Sequence, residues 1–199
     1  DWSSDVCSSD LNTKMYNFLW SGKKDKVKRR TIIGPINEGG LKMIDLESMV
    51  KAQKIMWVKR LLSEENASWK AFPKWMIGFM DFNDFFKCLY DPKKLPVKCP
   101  QFYHQVLFAL GELNINSKAE CDTAWDIRRE SILFNKFILI DNNYIGTAYK
   151  TWYEAGIKII HDIVNSKFSF YSKEDLESKY NTHIDIMKYN SLRDAMPHS

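Results

Sequence analysis

Residues 45–62 read DLESMVKAQKIMWVKRLL, and this stretch decides the fold class. Asp45 is a favoured N-cap, because its carboxylate can accept from the free N–H groups of a first helical turn. Glu47 and Lys51 stand four apart with the acid leading, which adds support on an exposed face. The apolar residues Leu46, Met49, Val50, Ile55, Met56, Trp57, Leu61 and Leu62 make a wide stripe. A helix is therefore expected over 45–62, covered on more than one side.

Working back from Asp45, Gly39-Gly40 predicts a turn and Gly34-Pro35 a break. Between that break and Trp20 lie an extended Thr31-Ile32-Ile33 and the charged run Lys23 to Arg30. Asn12 to Trp20 reads as the end of a helix, with Met15, Phe18 and Leu19 at three- and four-residue spacing, closed by Ser21-Gly22.

Working forward, Ser63 to Ser68 is an exposed connection, followed by the large side chains Trp69, Phe72, Trp75, Met76, Phe79, Phe82, Phe85 and Phe86. Asp91 to Pro100 carries three prolines and reads as loop. Pro100 suits the first turn of a helix to about Leu113, with Phe102, Val106, Leu110 and Leu113 on one face. Ile138-Leu139-Ile140 before Asp141-Asn142-Asn143 predicts a short strand entering a turn. Helices are expected over Gly146 to Ala155 and Ile157 to Val164, punctuated by Gly156. Ser172, three before Asp175, predicts a capped helix to Tyr180, and a last helix runs from Asp185 to Ala195. The fold class is mainly α, an irregular multi-helix assembly with one small β-hairpin. Its expected parts are 1–11, a helix–basic loop–helix segment over 12–65, and a helical region over 66–199.

The bulk composition agrees with a folded chain. Of 199 residues, 45% are hydrophobic and 27% charged, inside the globular range. No apolar run approaches the roughly 20 residues that span a bilayer, so no membrane partner is expected. Cys7, Cys88, Cys99 and Cys121 lack the spacing of zinc sites and read as free thiols in or near a core. With no secretory signal at the start, a reducing, intracellular compartment is expected. Asn66-Ala67-Ser68 matches a glycosylation sequon without the secretory context that would use it.

Asp1 to Leu11 reads DWSSDVCSSDL and resembles a translated sequencing-adapter read. It is expected to be disordered and no part of the fold, with the chain starting partway through a larger reading frame.

Two blocks carry a family resemblance. The first is Phe18-Leu19-Trp20-Ser21-Gly22-Lys23-Lys24, the basic run, Glu38-Gly39-Gly40-Leu41, Asp45-Leu46, Ala52 and Trp57. The second is Ile132 to Ile140 (ILFNKFILI), Trp152-Tyr153-Glu154-Ala155-Gly156-Ile157, and Tyr189-Asn190-Ser191-Leu192 before Met196-Pro197. In order and spacing they resemble the region after the polymerase thumb in reverse transcriptases of LINE-class (non-LTR) retrotransposons, across nearly all of 12–199. Leu133 departs from the tryptophan usual there, and the Cys/His knuckle of some branches is absent.

The resemblance implies a parent RNA-directed DNA polymerase with an endonuclease, using Mg²⁺ at clustered aspartates. It implies nuclear action at target DNA, a cytoplasmic RNA complex, and docking to the parent's thumb and endonuclease domains. This chain has no Asp-Asp pair, and Asp81 and Asp84 lack a third carboxylate at suitable spacing, so they read as helix-start acids. No catalytic residue and no cofactor is assigned to the chain itself.

The sharpest functional feature is the run Lys23, Lys24, Lys26, Lys28, Arg29 and Arg30, offset only by Asp25. Such a concentration of charge can displace counterions from RNA or DNA phosphates without reading sequence. On an extended strand Lys26, Lys28 and Arg30 would share one side. The competing reading is a solvated loop. Trp20 beside the run is the aromatic most worth following as a contact. Gly39-Gly40 lacks the Lys-Ser/Thr continuation of a P-loop and reads as a turn. The aromatics from Trp69 to Phe86 could stack on bases, but their density and spacing favour core. His104 and His161 have no nearby nucleophile and read as boundary residues.

Overall fold

A computed structural model describes residues 4–118 and 127–196. Cys121 and Pro197 lie outside the described residues, as does the side chain of Cys7. The chain divides into two compact units, Asp1–Met56 and Trp57–Ser199. The division falls inside a helix, upstream of the 65/66 junction expected from composition.

In the first unit, α1 covers Ser4–Leu19. It therefore includes Ser4 to Leu11, for which disorder is expected from sequence; extending a formed helix gains one hydrogen bond per residue fixed. The helix stops where Ser21-Gly22 predicts. Ser21 takes a left-handed φ of 51° and Gly22 one of 72°. Gly22 N–H donates to Asn17 O at 2.7 Å and Ser21 N–H to Phe18 O at 3.2 Å. Together these are the paired bonds of a Schellman cap, which satisfy carbonyls the helix end leaves open.

Residues 31–33 are not extended. They belong to α2, Arg29–Ile33, whose last carbonyls receive the Gly34 N–H. The β-branched residues favour a strand, but among the described residues no strand pairs with them. Instead Ile32 buries its side chain, and its carbonyl accepts from Leu41 and Met43 N–H at 2.9 and 3.2 Å. A 3-10 turn, Ile36–Glu38, leads into Gly39 at φ 81°. Gly40 then packs so closely that an added Cβ would lie 2.0 Å from Gly34 O. The double glycine is thus a backbone crossing, in keeping with a turn.

α3 covers Leu46–Leu62. Asp45 accepts from the Ser48 hydroxyl at 2.5 Å, and Lys51 pairs with Glu47 at 3.6 Å. The wide stripe is not covered as expected: Leu46, Val58 and Leu61 are buried, while Met49, Met56 and Leu62 are exposed.

The second unit holds α4 (Ala71–Ile77), α5 (Phe82–Phe85) and α6 (Gln101–Lys118). After the hairpin come α7 (Lys150–Glu154), α8 (Ile160–Ile163), α9 (Lys173–Tyr180) and α10 (Ile186–Ala195). The hairpin pairs β1 (Leu139–Ile140) with β2 (Asn143–Tyr144), in register Leu139 to Tyr144. Its two turn residues, Asp141 and Asn142, both take positive φ, 50° and 60°. This backbone twist suits a two-residue hairpin. The mainly α fold with one small hairpin is therefore present.

Local caps act as the sequence implies. Ser172 Oγ accepts from Asp175 N–H at 3.1 Å, and Asp185 accepts from the N–H groups of Met187 and Lys188. The helix expected over Ile157 to Val164 shrinks to α8, because Ser131 and Ile159 form a bridge. Asp162 Oδ2 also takes the Lys158 and Ile159 N–H groups, holding that stretch open. α6 continues beyond Leu113, and only Val106 and Leu110 of its expected face are buried.

The distal sequence block forms this unit's centre. Ile132, Leu133, Phe134, Asn135 and Ile138 are all buried, as are Trp152, Tyr153, Ile157, Tyr189 and Leu192. Asn135 is fully enclosed and still satisfied: its amide donates to Ser131 O at 3.0 Å and its oxygen accepts from Phe137 N–H at 3.0 Å. Phe134 takes a left-handed φ of 49°, which places its ring against Gly146, Phe85 and Tyr144. Among the described residues no helix is long and apolar enough to cross a membrane.

Candidate nucleic-acid interface

The Schellman cap at Ser21-Gly22 turns the chain away from α1 and straight into the cationic run. Lys23, Lys24, Lys26 and Lys28 lie in irregular backbone, Arg29 and Arg30 in the first turn of α2. All six side chains are exposed. The alternation that would align Lys26, Lys28 and Arg30 on a strand is absent, since Arg30 is helical.

One cation is spoken for. Arg29 Nε donates to Asp25 Oδ2 at 2.9 Å, and its guanidinium lies 4.2 Å from the ring centre of the buried Tyr16. The pair spans four residues and closes the loop on itself, while the cation–π contact ties that loop to α1. An exposed pair of this kind adds little stability, so its main effect is to hold the loop's shape. Among the described residues, Lys23, Lys24, Lys26, Lys28 and Arg30 carry no ion pair. Their charge is available to solvent and to any polyanion.

Trp20 does not stand out on this surface. It is half-buried, and its indole N–H is enclosed without an acceptor.

Asp81 and Asp84 are drawn into structural contacts. Asp81 pairs with Lys74 at 2.9 Å. Asp84 Oδ2 accepts from the Tyr153 hydroxyl at 2.6 Å and from Lys158 Nζ at 2.8 Å. Burial pushes the Asp84 carboxyl up, but the bonds from Lys158 and Tyr153 and the charges of Lys158 and Lys87 outweigh it and hold it below the ordinary range. The Lys158 ammonium is raised in turn, chiefly by its bond to Asp84. Among the described residues no group of three or more His, Cys, Asp or Glu could hold a metal ion. His104 and His161 are exposed.

The aromatic segment divides in two. Phe85 and Phe86 are buried, as its density predicts, but Trp69, Phe72 and Trp75 are exposed, Trp75 at 76%. The short helix α4 explains the split: Pro73 and Ile77, four apart, face the core, leaving Phe72 and Trp75, three apart, on the other side. Sequence counts aromatics but does not say which side of a two-turn helix finds a partner. The Asp25–Arg29 tie was also missed, although its four-residue spacing signals it. Comparison with protein-family models, with curated proteins and with solved structures finds no match to this chain.

Proposed function

We propose that this chain is a non-catalytic segment of a LINE-class reverse transcriptase, from the region that follows the polymerase thumb. In this reading it holds RNA or DNA backbone through Lys23, Lys24, Lys26, Lys28, Arg29 and Arg30. The observation that carries it is the exposure of six cations within eight residues, from the loop after α1 into the first turn of α2, five of them without an ion pair among the described residues. Contacts of that type position a duplex without reading its sequence. Catalysis belongs to the parent's Mg²⁺-dependent polymerase and endonuclease, acting on target DNA in the nucleus after assembly with RNA in the cytoplasm.

The test is retention on a polyanion column, comparing the chain with a variant in which all six cations become glutamine. Binding should weaken with salt, and the slope of log affinity against log salt should fall by roughly one for each phosphate contact removed. Unchanged retention would reject the reading.

A second reading, a helical spacer that docks on the parent's thumb and endonuclease, is favoured by exposed apolar side chains in the first unit. Phe18 is 88% exposed, and Ile36, Leu41 and Ile44 are also open to solvent. That spacer would self-associate and show no salt-sensitive retention. A third reading, a translated remnant of an inactive element, is separated by stop codons in the reading frame upstream.

A further inference from the structure

Outside the cationic loop, the second unit carries a connected run of rings at its surface. Trp69 meets Trp57 edge-on at 5.6 Å, and Trp57 meets Phe102 at 5.2 Å. Phe102 contacts Tyr103 at 5.3 Å, Tyr103 contacts Phe72 at 5.9 Å, and Phe72 stacks on Trp75 at 6.1 Å with planes 26° apart. Four of these six rings, Trp69, Phe72, Trp75 and Phe102, are exposed. Phe72 and Trp75 share α4 with the buried Pro73 and Ile77, and Phe102 and Tyr103 share α6 with the buried Val106, so these rings are carried by anchored helices.

Charge says what would cover it. Lys59 and Arg60 are exposed and carry no ion pair among the described residues, and the Arg60 guanidinium sits 5.3 Å from the Trp57 ring centre. Lys70 Nζ lies 5.9 Å from the Trp69 ring centre and bonds only neutral oxygens of Ser63, so its charge is uncompensated. Over 57–77, with Lys74 paired to Asp81, three cations stand against two acids, Glu64 and Glu65. Flat ring faces bordered by uncompensated cations match a ligand that is itself flat rings on an anionic backbone. A neutral apolar partner would gain nothing from Arg60 and Lys70.

We infer that the Trp69–Phe72–Trp75–Phe102 surface stacks the bases of single-stranded nucleic acid, with Lys59, Arg60 and Lys70 contacting its phosphates. This deepens the proposed backbone-holding role and rests on it for the class of ligand. It adds a requirement the cationic loop does not have: unpaired bases.

The experiment measures binding by tryptophan fluorescence for three probes of equal length: oligo-dT, an abasic deoxyribose-phosphate strand, and a duplex. The full chain should bind oligo-dT more tightly than the abasic strand. Trp75→Ala should weaken oligo-dT binding by about 5- to 100-fold, as expected for one lost stacking contact, and leave the abasic strand and duplex unchanged. Trp75→Phe should keep most of the oligo-dT affinity, while Trp75→Leu, equally apolar, should lose it. Circular dichroism controls for folding, which a side chain this exposed should not disturb.

Equal binding of oligo-dT and the abasic strand by the full chain overturns the inference, as does full oligo-dT affinity in Trp75→Leu. Either outcome leaves backbone contact by the loop standing. If the six-glutamine variant binds all three probes as the parent chain does, the loop's role fails. The surface is then judged on the oligo-dT excess alone.

Discussion

The two units use similar building blocks to opposite ends. In the second, the sequence block from Ile132 to Ile140 and the Trp152 and Tyr189 motifs lie at the centre of the packing. In the first, among described side chains, only Tyr16, Ile32 and Leu46 are buried hydrophobics, and the distinctive residues are cations held out in solvent. The contrast teaches that one chain can carry two kinds of signature. One kind fixes a core, and the other presents a field. A substitution in the buried centre of the second unit should therefore act on stability, and one in the cationic run of the first on binding.

The strongest challenge to that division is a core truncation. Ile163 is fully buried in α8, and Ile163→Ala removes contacts while leaving a cavity, at a cost of about 2–5 kcal/mol. Denaturant unfolding should show that loss, and polyanion retention under folding conditions should stay unchanged. Next in size is Gly40→Ala, whose Cβ would meet the Gly34 carbonyl at 2.0 Å. A clash with backbone cannot be relieved by a rotamer, so the expected cost is about 1–3 kcal/mol. Hydrogen exchange should locate it in residues 29–46 and leave the second unit protected.

Asp84→Ala tests the polar side of the second unit. It strands the Tyr153 hydroxyl and Lys158 ammonium and should destabilise by about 1–3 kcal/mol near neutral pH. The sign of the pH dependence follows from the lowered Asp84 carboxyl, whose ordinary value is 3.8. Its contribution is present above that value and fades as pH falls through the lower folded value. Acid titration of stability should thus be flatter in the variant. The smallest effect on stability belongs to the six-glutamine loop, within about 0.5 kcal/mol, although its salt-dependent binding collapses. A large stability loss there would erase the contrast between the units.

What the sequence makes legible is chemistry that acts within a few residues. Ser172, Asp185 and the Asp141-Asn142 turn each satisfy or shape backbone beside them, and the structure places each as read. The cationic run is equally plain, because six charges in eight residues cannot be buried together. Less legible are features decided by distant partners. Thr31 to Ile33 has strand-forming side chains, yet becomes helical because Gly34 caps it and, among the described residues, no strand pairs with it. Met49 and Met56 look like core, but nothing in α3 alone says where cover ends. Trp75 on α4 and Phe85 on α5 are both large rings in one segment, and only the packing of those two helices sends one outward and the other in.

The crossing of Phe134 and Gly146 also constrains how this fold can vary over generations. A methyl added at position 146 would sit 2.9 Å from the Phe134 ring, which Phe85 and Tyr144 prevent from swinging away. Enlarging the glycine therefore requires that ring to shift or to shrink, so the two sites, twelve residues apart, are coupled through one contact.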